Sequence, residues 1–160
     1  MLKIKIVCVG KLKERYFKDA CNEYIKRLSS YCKLSVIEVD EYRVPSTPSI
    51  SDINTCIITE GKRILSKINL GSFIISLCIE GDMISSEELS RKIETLSVSG
   101  TSDITFVIGG SFGLSDEVKN ISNFKQSISK MTFPHQLARV VLLEQIYRSF
   151  QISTSGKYHK

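Results

Sequence analysis

The chain has 160 residues, of which 42% are hydrophobic and 24% charged, and its formal net charge at pH 7 is +5. This composition is ordinary for a globular protein and excludes a largely disordered chain. The length suits one core, so we expect a single domain over residues 1–160.

The start of the chain, MLKIKIVCVG, alternates lysine with isoleucine and lacks the continuous apolar stretch of a signal peptide. No segment approaches the roughly 20 apolar residues of a transmembrane helix. The five cysteines are an odd number without a CxxC pair, which favours a reducing compartment. We therefore expect a cytoplasmic protein with no membrane partner, no metal site and no catalytic thiol. Cys8 and Cys78 are predicted to be small buried hydrophobes.

The first third of the chain predicts two strands and two helices. Residues 2–9 form a β-rich run that ends at Gly10, and apolar side chains at helical spacing follow between residues 12 and 31. Residues 34–39 predict the second strand. Two prolines and four serine or threonine residues predict a loop over residues 40–51, and apolar positions from Ile53 to Ile68 predict the second helix.

The middle of the chain continues the alternation. Residues 73–79 are apolar throughout, as in a strand covered on both faces. Ser85 and Glu88 have the spacing of a capping box, which predicts a helix to about residue 96. Residues 104–108 predict the fourth strand.

The glycine-rich turn after the fourth strand contains Gly109, Gly110 and Gly113, and Ser115 can cap a short helix behind it. Residues 125–131 predict a fifth strand, and Pro134 opens a final helix to about residue 150.

Strands that alternate with helices predict an α/β domain with a mostly parallel sheet and helices on both faces. Ligands of such sheets bind outside the carboxyl ends of the strands. This rule selects three positions: the end of the third strand at Leu77 and Cys78, the turn over residues 109–113, and residues 131–135.

Neither candidate turn has a specific phosphate motif. IGGSFG lacks the GK[ST] ending and the spacing of GxGxxG, so a tight strand-to-helix turn is the alternative to a ligand site. SKMTFPHQ can equally be a strand end before a proline-started helix. In that case His135 is a capping or surface residue rather than a base.

The last helix is apolar around most of its circumference in LARVVLLEQIY, which indicates burial on two sides. In a domain this small, one side faces the sheet, and we expect the other to contact a second copy of the chain. Burial in the core alone is the alternative.

Basic residues concentrate at both ends of the chain. Residues 1–33 carry a charge of +6, residues 34–118 a charge of −7, and residues 119–160 a charge of +6. The two ends predict a positive surface for a nucleic acid if the fold brings them together, and separate solvated faces otherwise. In the basic tail over residues 151–160, Tyr158 can stack on a base and Lys157, His159 and Lys160 can contact phosphates.

Several segments together are similar to the ribosomal RNA large subunit methyltransferase H family, a branch of the SPOUT class. The matching stretches are KIVCVGKLKERYFKDACNEYIKRL, FVIGGSFGL, SKMTFPHQLARVVLLEQIYRSFQI and the final YHK, and they cover nearly the whole chain in order. One difference is Lys157, where the family often has a proline.

The resemblance implies an S-adenosylmethionine-dependent enzyme that methylates ring nitrogen three of a pseudouridine in large-subunit ribosomal RNA. It also implies a homodimer and a C-terminal trefoil knot, and the substrate is free RNA or the assembled ribosome. The implied cofactor-binding residues are Leu77, Gly109, Ile128, Ser129, Lys130, Met131, Thr132 and Phe133.

The target nitrogen carries a weakly acidic proton, so its removal needs help. Tyr158 and His159 are candidate proton acceptors, and Arg139, Lys157 and Lys160 are candidates to stabilise the resulting anion. A non-catalytic RNA-binding protein would explain the charge without the glycine turn. Another nucleotide-utilising enzyme would explain the turn without the basic ends.

Overall fold

A computed structural model describes residues 1–155, and its five strands form a single sheet in which every pair is parallel. The sheet has the order β2-β1-β4-β3-β5. In chain order the elements are β1 (Lys3–Val9), α1 (Arg15–Leu28), β2 (Lys33–Val39), α2 (Ile50–Leu65), β3 (Phe73–Met83), α3 (Ser86–Val98), β4 (Asp103–Ile108), α4 (Asp116–Ile121), β5 (Phe124–Ser127) and α5 (His135–Ser153). The predicted α/β class, with a parallel sheet, is confirmed.

The alternation of side chains along the central strands divides the core between the two faces of the sheet. On β1, Ile4 and Ile6 point into a large cluster that is covered by α1, α3 and α5. Val7 and Val9 point into a smaller cluster covered by α2 and α4. The fold is therefore a three-layer α/β/α sandwich, and the near-continuous apolar strands follow from burial on both faces.

Serine caps set the starts of three helices. The predicted capping box of Ser85 and Glu88 is present, since Ser85 Oγ accepts from the Glu88 N–H and the Glu88 carboxylate accepts from the Ser85 N–H. Ser49 and Asp52 form a second capping box at α2. Ser115 caps the short α4, as its spacing predicts.

Strand β3 is longer than predicted, and β5 is shorter. β3 continues to Met83, but its pairing with β5 breaks between Leu77 and Asp82. Pairing resumes at Asp82 and Met83. Gly81 makes this second stretch of pairing possible, because a Cβ there would lie 2.7 Å from the backbone of Gln126. β5 ends at Ser127 rather than residue 131, since the Ser127 hydroxyl donates to the Ser129 carbonyl and turns the chain out of the sheet.

Cys8 and Cys78 were both predicted to be buried, and the structure confirms this for Cys8 alone. Cys8 is buried, and burial raises the pKa of its thiol to about 11. The prediction for Cys78 is wrong: its side chain is half-buried, because it lies where β3 leaves the pairing with β5. Within residues 1–155, no helix is both long and apolar enough to cross a membrane.

Candidate functional site

A cavity of about 880 Å³ opens at the carboxyl edge of the sheet, where three separate chain segments meet. They are the stretch of β3 after its last pairing with β4, the turn that follows β4, and the loop between β5 and α5. The cavity is lined by Leu77, Cys78, Ile79, Glu80, Ile108, Gly109, Gly110, Ser111, Phe112, Gly113, Leu114, Lys119, Ser127, Ile128, Ser129, Met131, Thr132, Phe133, Pro134, His135 and Ala138. The strand-end rule selected the same three segments.

The first wall is built by the break in β3. Leu77 pairs with Ile108 on one side and Gln126 on the other, and it is the last residue before the register shift. Beyond it, the Glu80 carboxylate forms an ion pair with Lys119 of α4. This pair lowers the pKa of Glu80, since the hydrogen bond to Lys119 favours the carboxylate.

The second wall is the glycine turn after β4. A Cβ at Gly109 would lie 2.9 Å from the backbone carbon of Gly113, so no side chain fits there without moving the turn. Gly113 has a φ of 87°, and its N–H donates to the Gly110 carbonyl over 3.1 Å. The glycines therefore bring bare backbone to the cavity.

The third wall is the loop over residues 128–134. Ser129 shapes it, since its carbonyl accepts from the Ser127 hydroxyl and its own hydroxyl accepts from the Met131 N–H over 3.0 Å. Met131 is 76% exposed, so a large apolar side chain stands in solvent at the cavity. Lys130 is also exposed, but it is absent from the cavity wall.

His135 begins α5 and lies on the cavity wall. Burial lowers the pKa of its imidazole, an effect that Glu41 opposes and that Arg139 and Lys13 reinforce. The ring is therefore neutral at pH 7 and can accept a proton. Its Nε2 would lie 3.3 Å from a Cβ at Gly10, whose φ of 84° also favours glycine.

Arg139 lies behind the cavity rather than on its wall. The guanidinium is buried, and it donates from Nη1 to Glu38 over 2.8 Å and from Nη2 to the Gly10 carbonyl over 3.0 Å. These bonds hold α5 against the ends of β1 and β2. The role predicted for Arg139 beside the reacting base stays a prediction.

The other two predicted catalytic residues, Tyr158 and His159, lie outside the described residues, as do Lys157 and Lys160. Among residues 1–155, no group of three or more His, Cys, Asp or Glu side chains is placed to hold a metal ion.

Sequence reasoning missed several residues of the cavity wall. Ile79 and Glu80 directly follow the predicted Leu77 and Cys78, and the glycine at position 81 was the signal that β3 bends there. Lys119 reaches the wall from α4 through its ion pair, and nothing in its local sequence indicated this. Phe112 lay inside the glycine motif but was not singled out.

Comparison with known proteins gives a family for the whole chain. A family model described as predicted SPOUT methyltransferase matches residues 2–159. The ribosomal RNA large subunit methyltransferase H of Clostridium acetobutylicum is 52% identical over 159 residues, which are 99% of this chain and 100% of that protein. The protein of the same name from Clostridioides difficile is 48% identical over the same shares.

Solved structures share the fold at low sequence identity. A probable methylase family protein from Haemophilus influenzae Rd KW20 has a TM-score of 0.55 and 14% identity, and the match covers 98% of this chain and 70% of that one. These values support the three-layer fold without bearing on the substrate. The trefoil knot stays a prediction.

Proposed function

This chain belongs to the SPOUT methyltransferase family, and we propose that it transfers a methyl group from S-adenosylmethionine to ring nitrogen three of a pseudouridine in large-subunit ribosomal RNA. The observation that carries the proposal is the cavity built jointly by three backbone segments, in a chain that matches the ribosomal RNA methyltransferases over 99% of its length. A non-catalytic RNA-binding protein would have no use for this cavity.

The cavity suits the methyl donor in size and chemistry. Its volume lies within the range of small-molecule sites, and Leu77, Leu114 and Phe133 provide apolar walls. The bare backbone at Gly109 offers peptide groups that can read an adenine edge without special side chains. When bound, the donor supplies an electrophilic methyl group on a sulfonium.

We assign the donor to Leu77, Gly109, Ile128, Ser129, Lys130, Met131, Thr132 and Phe133. All but Lys130 line the cavity, and the exposed side chain of Lys130 leaves only its backbone for this role. The hydrogen bonds of Ser129 to its neighbours hold the loop in place before the donor binds. Such preorganisation reduces the entropy that is lost when the methyl donor is aligned with the target base. In favourable cases, alignment accounts for about 7–11 kcal/mol of a reaction barrier.

The proton on the target nitrogen must leave when the methyl group arrives. Tyr158 and His159 of the tail are proposed acceptors, and Arg139 is proposed to act on the resulting anion. His135 adds a candidate, since its neutral imidazole already lies on the cavity wall. General-base help of this kind is worth about 10²- to 10⁴-fold in rate.

A homodimer is part of the proposal. The outer face of α5 carries Leu137, Val141 and Ile152, which are half-buried and do not belong to the side chains that pack on the two core clusters. Glu144 and Arg148 form an ion pair on the same helix. A second copy that covers this face would bury the apolar side chains.

We place the protein in the cytoplasm, where its ribosomal substrate is made.

Methylation of ribosomes tests the proposal. Ribosomes from a strain without this methyl group are incubated with the protein and labelled S-adenosylmethionine, and the label is mapped by mass spectrometry. We expect one methyl group on nitrogen three of one pseudouridine in large-subunit RNA. Label on a ribose, on another base or on no RNA contradicts it.

A further inference from the structure

A second cavity, of about 480 Å³, adjoins the first on the other side of the glycine turn. Ser111 and Phe112 line both cavities, so the tip of the turn is their common wall. The remaining walls come from Lys13, in the loop after β1, from residues 41–44, in the loop after β2, and from Cys56 and Glu60 of α2. Both loops follow carboxyl ends of strands, as the first cavity does.

Glu60 of α2 lies in the wall of this second cavity and is only 2% exposed. Its Oε2 accepts from the Tyr42 N–H over 3.0 Å, but its Oε1 has no hydrogen-bond partner among the described residues. The nearby Cys56 thiol donates to the Tyr42 carbonyl over 3.7 Å. A buried carboxylate oxygen without a partner is costly, so its presence here calls for a donor from outside the chain.

The glycine turn is fitted to this carboxylate. A Cβ at Gly110 would lie 2.8 Å from Glu60 Oε1, so any other residue there would have to displace the carboxylate. Burial raises the pKa of Glu60, an effect that the Tyr42 N–H and the nearby Cys56 thiol oppose. The free oxygen lies close to Gly110 of the turn that we assign to the methyl donor, and Glu60 itself lines the second cavity.

The rim of the second cavity is basic and aromatic. Lys13 and Arg43 are exposed, and within residues 1–155 neither forms an ion pair. Tyr42 and Phe112 are half-buried in the wall, and Glu41 is the one acid on the rim. Cations that contact phosphates and aromatic rings on which bases stack are the usual means of holding single-stranded RNA.

We infer that the second cavity receives an unstacked nucleobase of the RNA strand, next in sequence to the base that is methylated. Phe112 separates the two bases, Lys13 and Arg43 contact the backbone phosphates, and Glu60 Oε1 accepts from an N–H on the edge of the second base. This inference rests on the proposed function, since it takes the first cavity as the methylation site. It assigns to Glu60 the reading of a neighbouring nucleotide.

A charge-matched pair of double variants of the full chain tests the phosphate contacts. Lys13→Gln with Arg43→Gln removes two cations after the ends of β1 and β2, whereas Lys3→Gln with Lys33→Gln removes two exposed cations at the starts of the same strands. We expect the first pair to raise the KM for ribosomes more than tenfold. It should also reduce the salt dependence of log affinity by about 1.4, which corresponds to two contacts to a single strand. The control pair should change neither quantity as much.

Glu60→Gln tests the base contact. A glutamine replaces one carboxylate oxygen by an NH2 donor, so it no longer offers one acceptor atom to the Tyr42 N–H and a second to a base N–H. We expect a higher KM for ribosomes together with unchanged S-adenosylmethionine affinity and a melting temperature at pH 7 no lower than that of the wild type. An unchanged KM in this stable variant means that Oε1 accepts from no base, and this result overturns the base contact.

The outcomes distinguish a failure of this inference from a failure of the proposed function. If the wild type methylates ribosomes and the Lys13/Arg43 variant behaves as its control does, the inference is wrong and the proposed function stands. A wild type that neither methylates nor binds ribosomes overturns both.

Discussion

The buried guanidinium of Arg139 donates a hydrogen bond of 2.8 Å to the carboxylate of Glu38 and so ties helix α5 to strand β2. A second bond, from Arg139 to the Gly10 carbonyl, extends the tie to the end of β1. The sheet edge that bears the two cavities is therefore fastened to the helix that begins at His135.

Loss of the Glu38 carboxylate should destabilise the fold. Glu38→Ala leaves a buried guanidinium without its counter-charge, and we expect about 3 kcal/mol less free energy of unfolding, the low end for buried pairs because Glu38 is partly exposed. Glu23→Ala is the control, since it breaks the exposed pair with Arg27 and should cost less than about 1 kcal/mol. Urea denaturation measures both, and equal losses would contradict the structural role of the buried pair.

The glycine turn should not tolerate a methyl group. Gly109→Ala places a Cβ 2.9 Å from the Gly113 backbone, so the turn must shift at the point where we place the methyl donor. We expect calorimetry to show S-adenosylmethionine affinity at least tenfold weaker, about 1.4 kcal/mol. Gly71→Ala, whose Cβ meets only the flexible side chain of Asn69, is the control and should bind normally. Normal binding by Gly109→Ala would place the donor elsewhere.

Glu60 should make the stability depend on pH. Its pKa is raised in the folded protein, so the native state holds the proton more tightly and loses stability as the pH rises from about 4.5 through the folded pKa. Glu60→Gln removes this loss and should therefore be more stable than the wild type at pH 7, with the advantage disappearing below pH 4.5. Asp52→Asn should be less stable than the wild type at pH 7, because backbone hydrogen bonding lowers the pKa of Asp52 in its capping box. This difference should disappear as the pH falls through the lowered pKa. Urea denaturation across pH 2–8 decides, and a Glu60→Gln curve parallel to that of the wild type would be incompatible with a buried, titrating carboxyl.

The basic tail should be needed for methylation and not for the donor. We expect a chain truncated after Gly156, which lacks Tyr158 and His159, to bind S-adenosylmethionine as the full chain does and to methylate no ribosomes. Calorimetry and the labelled-methyl assay measure the two properties. Full activity of the truncated chain would exclude both residues as proton acceptors.

His135 offers a competing source of the base. If its neutral imidazole takes the proton, His135→Asn should lower kcat by about 100-fold or more and leave donor binding intact. The pH–rate profile of the wild type should then lose activity as the pH falls through the pKa of His135, which burial holds below 6.5. Unchanged kcat in the variant would leave the tail residues as the remaining candidates.

The sequence was most informative where local chemistry decides the structure. The capping box of Ser85 and Glu88, the glycine turn and the apolar strands predicted the elements and the three segments of the first cavity. It was least informative where distant segments meet. The renewed pairing of β3 with β5 after Gly81 depends on how closely the backbone of β5 approaches that glycine.

The same limit applies to buried polar side chains. The partners of Arg139 lie 101 and 129 residues away in the chain, and the unpaired oxygen of Glu60 becomes visible only when α2 packs under the glycine turn. No periodicity or spacing in the sequence carries such information. The second cavity was therefore not predicted.

Hydrogen exchange with and without S-adenosylmethionine tests most directly whether three backbone segments form one donor site. We predict that the donor slows exchange together in residues 77–80, 108–114 and 127–134, and leaves exchange in α1 unchanged. Protection confined to one of these segments, or found elsewhere in the chain, would contradict the site on which the account depends.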